Sequence, residues 1–499
     1  MSNPQCLDST FFNGTCDRVS RPSRRGVFWL CLFLFGGLFW LSACDMGPDP
    51  RPDIVLVVLD TVRDDFTGQH GTVSVTPSLD QLAAEGTRFA NAWSNASWTV
   101  PSHASMFTGL LPSEHGSTSR KPQLADSHET LAEILSGAGY VTAGFFSNPW
   151  LSHQASGLMR GFDVYQVAEL KDFFDGASRR PDGDQGGRES VGRLTRWLEQ
   201  AEDDRPFFLF VNFLEPHLPY DPPAEYRYTH LTDLSPDVWI PVRWGHEFNA
   251  GRLTADDVDW ETVRRLYAGD IHTADRYLGR LVTKLKKMGR YENTVIIVTS
   301  DHGENLGEHG LVEHQFSVHE TLLDVPLVIR APGFLEPGQR EDPVMLLDLF
   351  ATVLEAAAIP DVPERPVSPL SRSLLSLPQN EPWSDRPLLA EYHGPPDGLV
   401  RLLSRINAAL DPDPLGAAYR SLRVGDLRLT VSNLGAVQLH DLTSDPLQQH
   451  DLTAERPGDL ARMQETLSQM PFGGWLLDEA AVPMDAETRE KLRSLGYVH

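Results

Sequence analysis

Residues 53–60, DIVLVVLD, are six consecutive apolar residues between two aspartates. A run that is apolar at every position cannot lie on a sheet with one wet face. It predicts a central strand buried on both sides, as in parallel sheets covered by helices. The acid that ends the run then stands at the carboxyl end of a buried strand, where open α/β sheets gather their functional groups.

The chain repeats this alternation. TPSLDQLAAEG (residues 76–86) reads as a helix with Thr76 as cap, Pro77 at its first position and Gly86 at its stop. Residues 127–147 carry a helical pattern and then a strand, and a further helical pattern lies near residues 189–200. A strand at 206–213, a long helix at 260–288 and a strand at 293–300 follow. Together they predict a doubly wound, mostly parallel α/β sheet over residues 51–360. The Pro- and Ser-rich stretch 361–385 reads as a linker region. Residues 386–499 read as a small C-terminal α+β subdomain, with short antiparallel strands over 419–442 and a helix from Pro457 to about Met470. No internal repeat or low-complexity tract is present.

The amino end has a different character. Arg18, Arg21, Arg24 and Arg25 precede the apolar run GVFWLCLFLFGGLFWLSA, which stops at Cys44. This is the layout of a secretion signal over residues 1–43 ending in a lipobox, with residues 44–52 as a tether. The expectation is a lipid on Cys44, and Asp45 after it points to retention in the inner membrane of a Gram-negative envelope, periplasmic side. A single transmembrane anchor is the alternative, since 18 apolar residues are just long enough to span. All four cysteines, Cys6, Cys16, Cys31 and Cys44, lie here, so no disulfide framework is expected in the body.

Charge narrows the partners. The formal net charge is −26, and removing a leader that holds four Arg and two Asp makes the body more acidic still. Such a surface argues against nucleic acid or anionic lipid as a nonspecific partner. An anionic substrate must then meet a local positive feature, for which a metal is the economical candidate.

Candidate ligands sit at the predicted strand ends: Asp60 after the first strand, Asp301 and His302 after the strand at 293–300. Two carboxylates and an imidazole on neighbouring strand ends suit one divalent cation, with Thr99 of SWTVPSHASMFTG as a fourth ligand.

With these pieces the sequence resembles the sulfatase family of the alkaline phosphatase superfamily over nearly all of residues 51–499. The matching segments are VVLDTVRDDFTGQHG, TVPSHASMFTGLLPSEHG, TLAEILSGAGYVTAGF, PFFLFVNFLEPHLPY, SDHGENLGEHGLVEHQFS, LHDLTSDPLQQHDLT and LRSLGYV. The resemblance implies a hydrolase of sulfate or phosphate esters. The family's elbow is Cys or Ser, any residue, Pro, any residue, Arg, with the first residue converted to formylglycine. Here those positions are Thr99, Val100, Pro101, Ser102 and His103. A secondary alcohol is no substrate for that conversion, so no formylglycine is expected and Thr99 must act as itself. The family's Asp-Asn metal pair is Asp301-His302 here, and the lysine about thirteen residues further on is replaced by His314. These departures resemble superfamily members with a threonine nucleophile, which act on phosphorus.

The expected mechanism follows. A metal on Asp60, Asp301 and His302 activates Thr99; His217, in EPHLPY, and His314 bind anionic oxygens or protonate the leaving group; His103 orients Thr99. Mn²⁺ or Zn²⁺ suits the ligands better than the Ca²⁺ of the sulfatases proper. The expected substrate is an anionic ester, such as an envelope glycan or lipid head group. Two other functions fit the residues: a transferase passing phosphoglycerol or phosphoethanolamine to an envelope acceptor, and a noncatalytic module binding anionic glycans. His217 also reads as a buried turn residue, His309 and His319 as structural, and Thr61 and Asp64 as caps or ligands in equal measure. Oligomeric state leaves no mark in the sequence.

Overall fold

The computed structural model describes residues 51–68, 74–168, 183–200, 205–224, 234–235, 237–360, 366–378, 385–478, 485–486 and 489–490. The expected signal peptide, Cys44 and the tether up to residue 50 lie outside these residues, as do residues 361–365 and 379–384 of the linker.

Every residue of the first strand, β1 (Asp53–Leu59), is buried. Ile54, Leu56 and Val58 join one apolar core, and Val55, Val57 and Leu59 join another. The two faces of one strand thus feed two cores, which is the physical meaning of its uninterrupted apolar run. The other strands of the main sheet are β2 (Thr87–Trp93), β3 (Val141–Phe146), β4 (Val164–Val167), β5 (Phe207–Phe213) and β6 (Thr294–Thr299). A short hairpin of β7 (Asn305–Leu306) and β8 (Val312–Glu313) precedes the last two, β9 (Leu327–Arg330) and β10 (Gly338–Met345). The eight strands run β10-β2-β9-β6-β1-β5-β3-β4. All pair in parallel except β9, which opposes both β2 and β6.

Helices cover both faces. Against Val55, Val57 and Leu59 pack α1 (Pro77–Glu85), through Leu79 and Leu82, and residues such as Leu194 of the helix Gly187–Gln200, here α3. The 28-residue helix Trp260–Lys287, here α4, fills the rest of that layer with Leu266, Ile271 and Leu278. The opposite face is covered by α2 (Thr99–Thr108) with Val100 and Met106, and by the helices Leu131–Gly137 and Asp348–Ala356. The fold is therefore the doubly wound α/β arrangement that the alternation predicts.

The carboxyl-terminal part adds a four-stranded antiparallel sheet, β11 (Leu388–Tyr392), β12 (Tyr419–Val424), β13 (Leu427–Ser432) and β14 (Val437–Asp441), in that order. Leu389, Leu422, Leu429 and Leu439 meet Met463 of the helix Pro457–Ser468 and Trp93 of the main sheet in a third core. Asn95 pins the junction: its Nδ2 donates to Leu389 O at 2.9 Å while its Oδ1 accepts from Leu347 N at 2.9 Å. The mixed strands β2 and β10, TRFANAW and GQREDPVM, and the five-residue β11 carry no clean periodicity and are not legible in the sequence. Among the described residues no helix is long and apolar enough to cross a membrane.

Candidate active site

β1 and β6 are parallel neighbours, so Asp60 and the Asp301-His302 pair emerge side by side at the carboxyl edge of the sheet. Ligand atoms of all three lie within 4.8 Å of one another, and all three residues are buried. Each carboxylate is half satisfied. Asp60 Oδ2 accepts from Asn148 Nδ2 at 2.9 Å and Asn212 Nδ2 at 3.1 Å. Asp301 Oδ1 accepts from the backbone N–H of Thr61 at 3.2 Å and of His302 at 3.0 Å. The remaining oxygens, Asp60 Oδ1 and Asp301 Oδ2, are buried with no hydrogen-bond partner. Buried polar atoms are otherwise nearly always paired, so two orphaned carboxylate oxygens mark a place built for a cation.

The imidazole completes the set. His302 Nδ1 lies 3.0 Å from the Gly303 carbonyl, which requires the proton on Nδ1 and leaves the Nε2 lone pair open. Nε2 is 3.4 Å from Asp301 Oδ2 and 3.4 Å from Thr99 Oγ1. The donor set of Asp60, Asp301 and His302, with the Thr99 hydroxyl beside it, fits a divalent cation. Burial raises the pKa of Asp60 to about 6 against the pull of its two asparagines. Burial, and then the charge of Asp60, holds Asp301 well above the usual carboxylate range. Burial also drives His302 well below the ordinary imidazole value. Two carboxylates this close in apolar surroundings hold protons unless a cation offsets their charge.

Thr99 is the first residue of α2, entered from an extended Trp98. Its oxygen therefore sits at the positive end of the helix dipole, where negative charge is favoured. The helix is tied to the ligand strand through Ser102 Oγ, which donates to Asp301 O at 2.7 Å. On the other side of the site Thr61 has φ of +59°, strained for a β-branched residue, and this conformation accompanies the bond from its N–H to Asp301.

The histidines divide into two groups. His302, His314 and His217 form a row, with ring centroids 4.4 Å apart for the first pair and 5.1 Å for the second. Burial pushes His217 and His314 down to about 3, so both are neutral in the substrate-free protein. His217 Nδ1 donates to Leu218 O at 2.8 Å, which turns an unprotonated Nε2 outward from that bond. His103 stands apart from the row. Its Nδ1 donates to the Thr99 carbonyl at 2.8 Å and its ring meets Phe107 and Phe210 edge-on. It grips the backbone of Thr99, not the hydroxyl.

Asp64 is drawn away from the cation site by a two-oxygen ion pair with Arg88 Nη2 at 2.6 and 2.8 Å. His309 and His319 stack on each other at 3.5 Å. Sequence reasoning overlooks three residues that the fold brings in: Asn148, Asn212 and Glu304. Asn148 follows β3, Asn212 interrupts the apolar run of β5, and Asn148 Nδ2 also reaches Thr99 Oγ1 at 3.5 Å. A polar residue inside FFLFVNF is the signal that was available. Glu304 is fully buried, and its Oε1 lies 3.4 Å from His314 Nδ1.

Comparison with known proteins places the chain in a family. The Sulfatase family model matches residues 52–359, more than half the chain. Arylsulfatase K of Rattus norvegicus is 26% identical over 451 residues, covering 81% of this chain and 75% of the relative. An arylsulfatase of Clostridium perfringens is 26% identical over 390 residues, covering 67% and 80%. In three dimensions the chain resembles the phosphonate monoester hydrolase of Agrobacterium radiobacter, with TM-score 0.65, 23% identity and coverage of 84% and 95%. A protein solved in complex with its substrate D-glucosamine-2-N,6-O-disulfate gives TM-score 0.66 at 19% identity, covering 84% and 97%. The fold defines a hydrolase of the alkaline phosphatase superfamily, and Asp60, Asp301 and His302 form a possible metal-binding site at its strand ends. Within that superfamily the chain belongs to the sulfatase family and is a sulfuric-ester-hydrolase-type enzyme.

Proposed function

We infer that the protein hydrolyses a sulfate or phosphate ester through Thr99 itself, with no formylglycine. The observation that carries this reading is the position of Thr99 Oγ1, 3.4 Å from His302 Nε2 and at the amino end of α2. A divalent cation held by Asp60, Asp301 and His302 beside Thr99 would supply Lewis-acid polarisation of the ester and ease ionisation of the hydroxyl. Every other role falls to the chain. Thr99 Oγ attacks the central sulfur or phosphorus in line, forming a threonyl ester as the bond to the leaving alcohol breaks. The hydroxyl proton passes to the leaving oxygen. His217 and His314, neutral before substrate enters, take up protons as an anionic ester approaches and then bind its oxygens. Water attacks the threonyl ester, releasing sulfate or phosphate and restoring the hydroxyl.

A threonyl ester lacks the carbon–oxygen cleavage open to a formylglycine hemiacetal, so water must attack the central atom. That requirement favours phosphorus, and the fold likeness to a phosphonate monoester hydrolase supports it. The envelope reading, a lipidated Cys44 on the periplasmic side of the inner membrane, rests on the lipobox sequence. The deciding experiment assays the protein reloaded with Mn²⁺, Zn²⁺ or Ca²⁺ against aryl sulfate, aryl phosphate and aryl phosphodiester, beside Thr99→Ala. Turnover of a phosphoester falling at least about a thousandfold in the variant is expected. Sulfate turnover that survives in Thr99→Ala would sink the threonine mechanism.

A further inference from the structure

The chain holds six lysines in 499 residues, and three of them, Lys284, Lys286 and Lys287, fall within four positions. They belong to a fifteen-residue stretch, residues 276–290, that carries six cations and no acid in a chain of net charge −26. The carboxyl end of a helix favours one or two cations through its dipole, but that does not reach Arg280 and Arg276, about two and three turns earlier. On α4 the residues Arg276, Arg280, Lys284 and Lys287 are spaced four, four and three apart, which sets them in one stripe. The stripe lines a groove of about 720 Å³ between α1, α3 and α4, whose walls, among the described residues, hold five cations and two acids. Each acid offsets one lysine, Glu199 pairing with Lys284 at 2.9 Å and Glu85 with Lys286 at 3.4 Å, and among the described lining residues three cations remain in excess.

Where this face lies decides what it meets. α4 leads into β6, so its lysines stand at the amino edge of the sheet, opposite Asp60 and Asp301. The first described residues lie at the same edge. Arg290 pairs with Asp53 at 2.6 Å, and Asn293 Nδ2 donates to Arg51 O at 3.4 Å. Cys44 is seven steps of chain from Arg51, a reach of at most about 25 Å when extended.

We propose that the basic face of α4, from Arg276 to Lys287, docks on anionic phospholipid head groups and sets the orientation of the enzyme on its membrane. The inference rests on the reading of Cys44 as the lipid anchor, which brings this edge of the sheet within reach of the bilayer. It also qualifies the expectation drawn from net charge: the body as a whole repels anionic lipid, and one face attracts it. The seven steps of β1 from Asp53 to Asp60 rise about 23 Å, so the catalytic edge faces away from the bilayer that holds the protein. Its substrate is then an ester in the aqueous space, not a head group of the same membrane.

The test uses protein beginning at Met46, since residues 48–499 form one compact unit, and so measures docking without the acyl chain. Flotation with vesicles of phosphatidylglycerol and phosphatidylcholine is compared with phosphatidylcholine alone. Binding that requires phosphatidylglycerol and weakens with salt is expected. Each cation near the surface contributes about fivefold, so the combined Lys284→Gln, Lys286→Gln and Lys287→Gln variant should lose roughly a hundredfold. Arg243→Gln with Arg462→Gln, off this face, should bind as the parent does. Thermal midpoint and aryl ester turnover confirm folding; if the lysine variant unfolds, Arg276→Gln with Arg280→Gln decides, with an expected loss of about twenty-five-fold. Absence of binding, equal binding to neutral vesicles, or unchanged binding in the variants overturns the proposal. Capture by heparin without capture by vesicles also overturns it and assigns the face to sulfated glycan. Acylation of Cys44 is read separately, by mass spectrometry of the membrane-bound protein, so the two ideas fail independently.

Discussion

Asn148 shows how a residue outside the candidate ligand set can govern the site. It shares Asp60 Oδ2 with Asn212 and fixes which oxygen of that carboxylate remains for a cation. Partners of this kind typically change metal affinity by about 10–100-fold. Asn148→Ala is expected to weaken Mn²⁺ or Zn²⁺ binding by that factor, read by chelator competition. The same measurement has a pH sign. Cation binding needs Asp60 ionised, and its pKa is raised to about 6, so affinity should climb as pH rises through about 6 with release of protons. Affinity that stays flat from pH 5 to pH 8 would mean that Asp60 is not a ligand. The cluster of candidate ligands was legible because Asp60, Asp301 and His302 follow two apolar strands. Asn148 and Glu304 were not, since their roles depend on how β3 and the loop after β6 pass the same point in space.

At the scale of elements, β1 is where sequence and structure speak most directly, because burial on both faces forces every position to be apolar. Leu56 is fully buried in one core and paired to β5 and β6 on its two edges. Leu56→Ala should cost about 2–5 kcal/mol of stability, measured as a shift in the denaturant midpoint. A loss below about 1 kcal/mol would show that the sheet collapses around the cavity. The same logic explains what the pattern concealed. β9 runs against its neighbours for only four residues, and β2 and β10 mix charge with apolar residues at the side of the sheet where cover is thinner. Short or half-covered strands carry too little periodicity to be read. The antiparallel hairpin of β12 and β13, by contrast, announces itself through the Gly425-Asp426 turn, where Gly425 takes φ of +58°.

For the whole molecule, the site is a charge concentration inside an already acidic body, and its cost depends on the cation. Asp60 and Asp301 are both fully buried, and both hold raised pKa values. A carboxyl whose folded pKa lies above its unfolded value contributes stability that is complete below the unfolded value and is lost as pH rises through the folded one. For Asp60 that window runs from about 4 to about 6. In chelator, the thermal midpoint should therefore fall between pH 5 and pH 7.5. With cation present the order reverses, since binding to the folded state alone adds about 4 kcal/mol at a thousandfold excess over Kd. Asp301→Asn makes the two regimes separable. Replacing a buried carboxyl by a neutral amide should raise the midpoint in chelator at pH 7.5 and abolish the gain from metal, so the parent and variant curves cross as metal is added. Scanning calorimetry in chelator and in Mn²⁺ reads both arms. Curves that stay parallel would mean that these carboxylates do not share a cation, and that the stability of the sheet is indifferent to the chemistry at its edge.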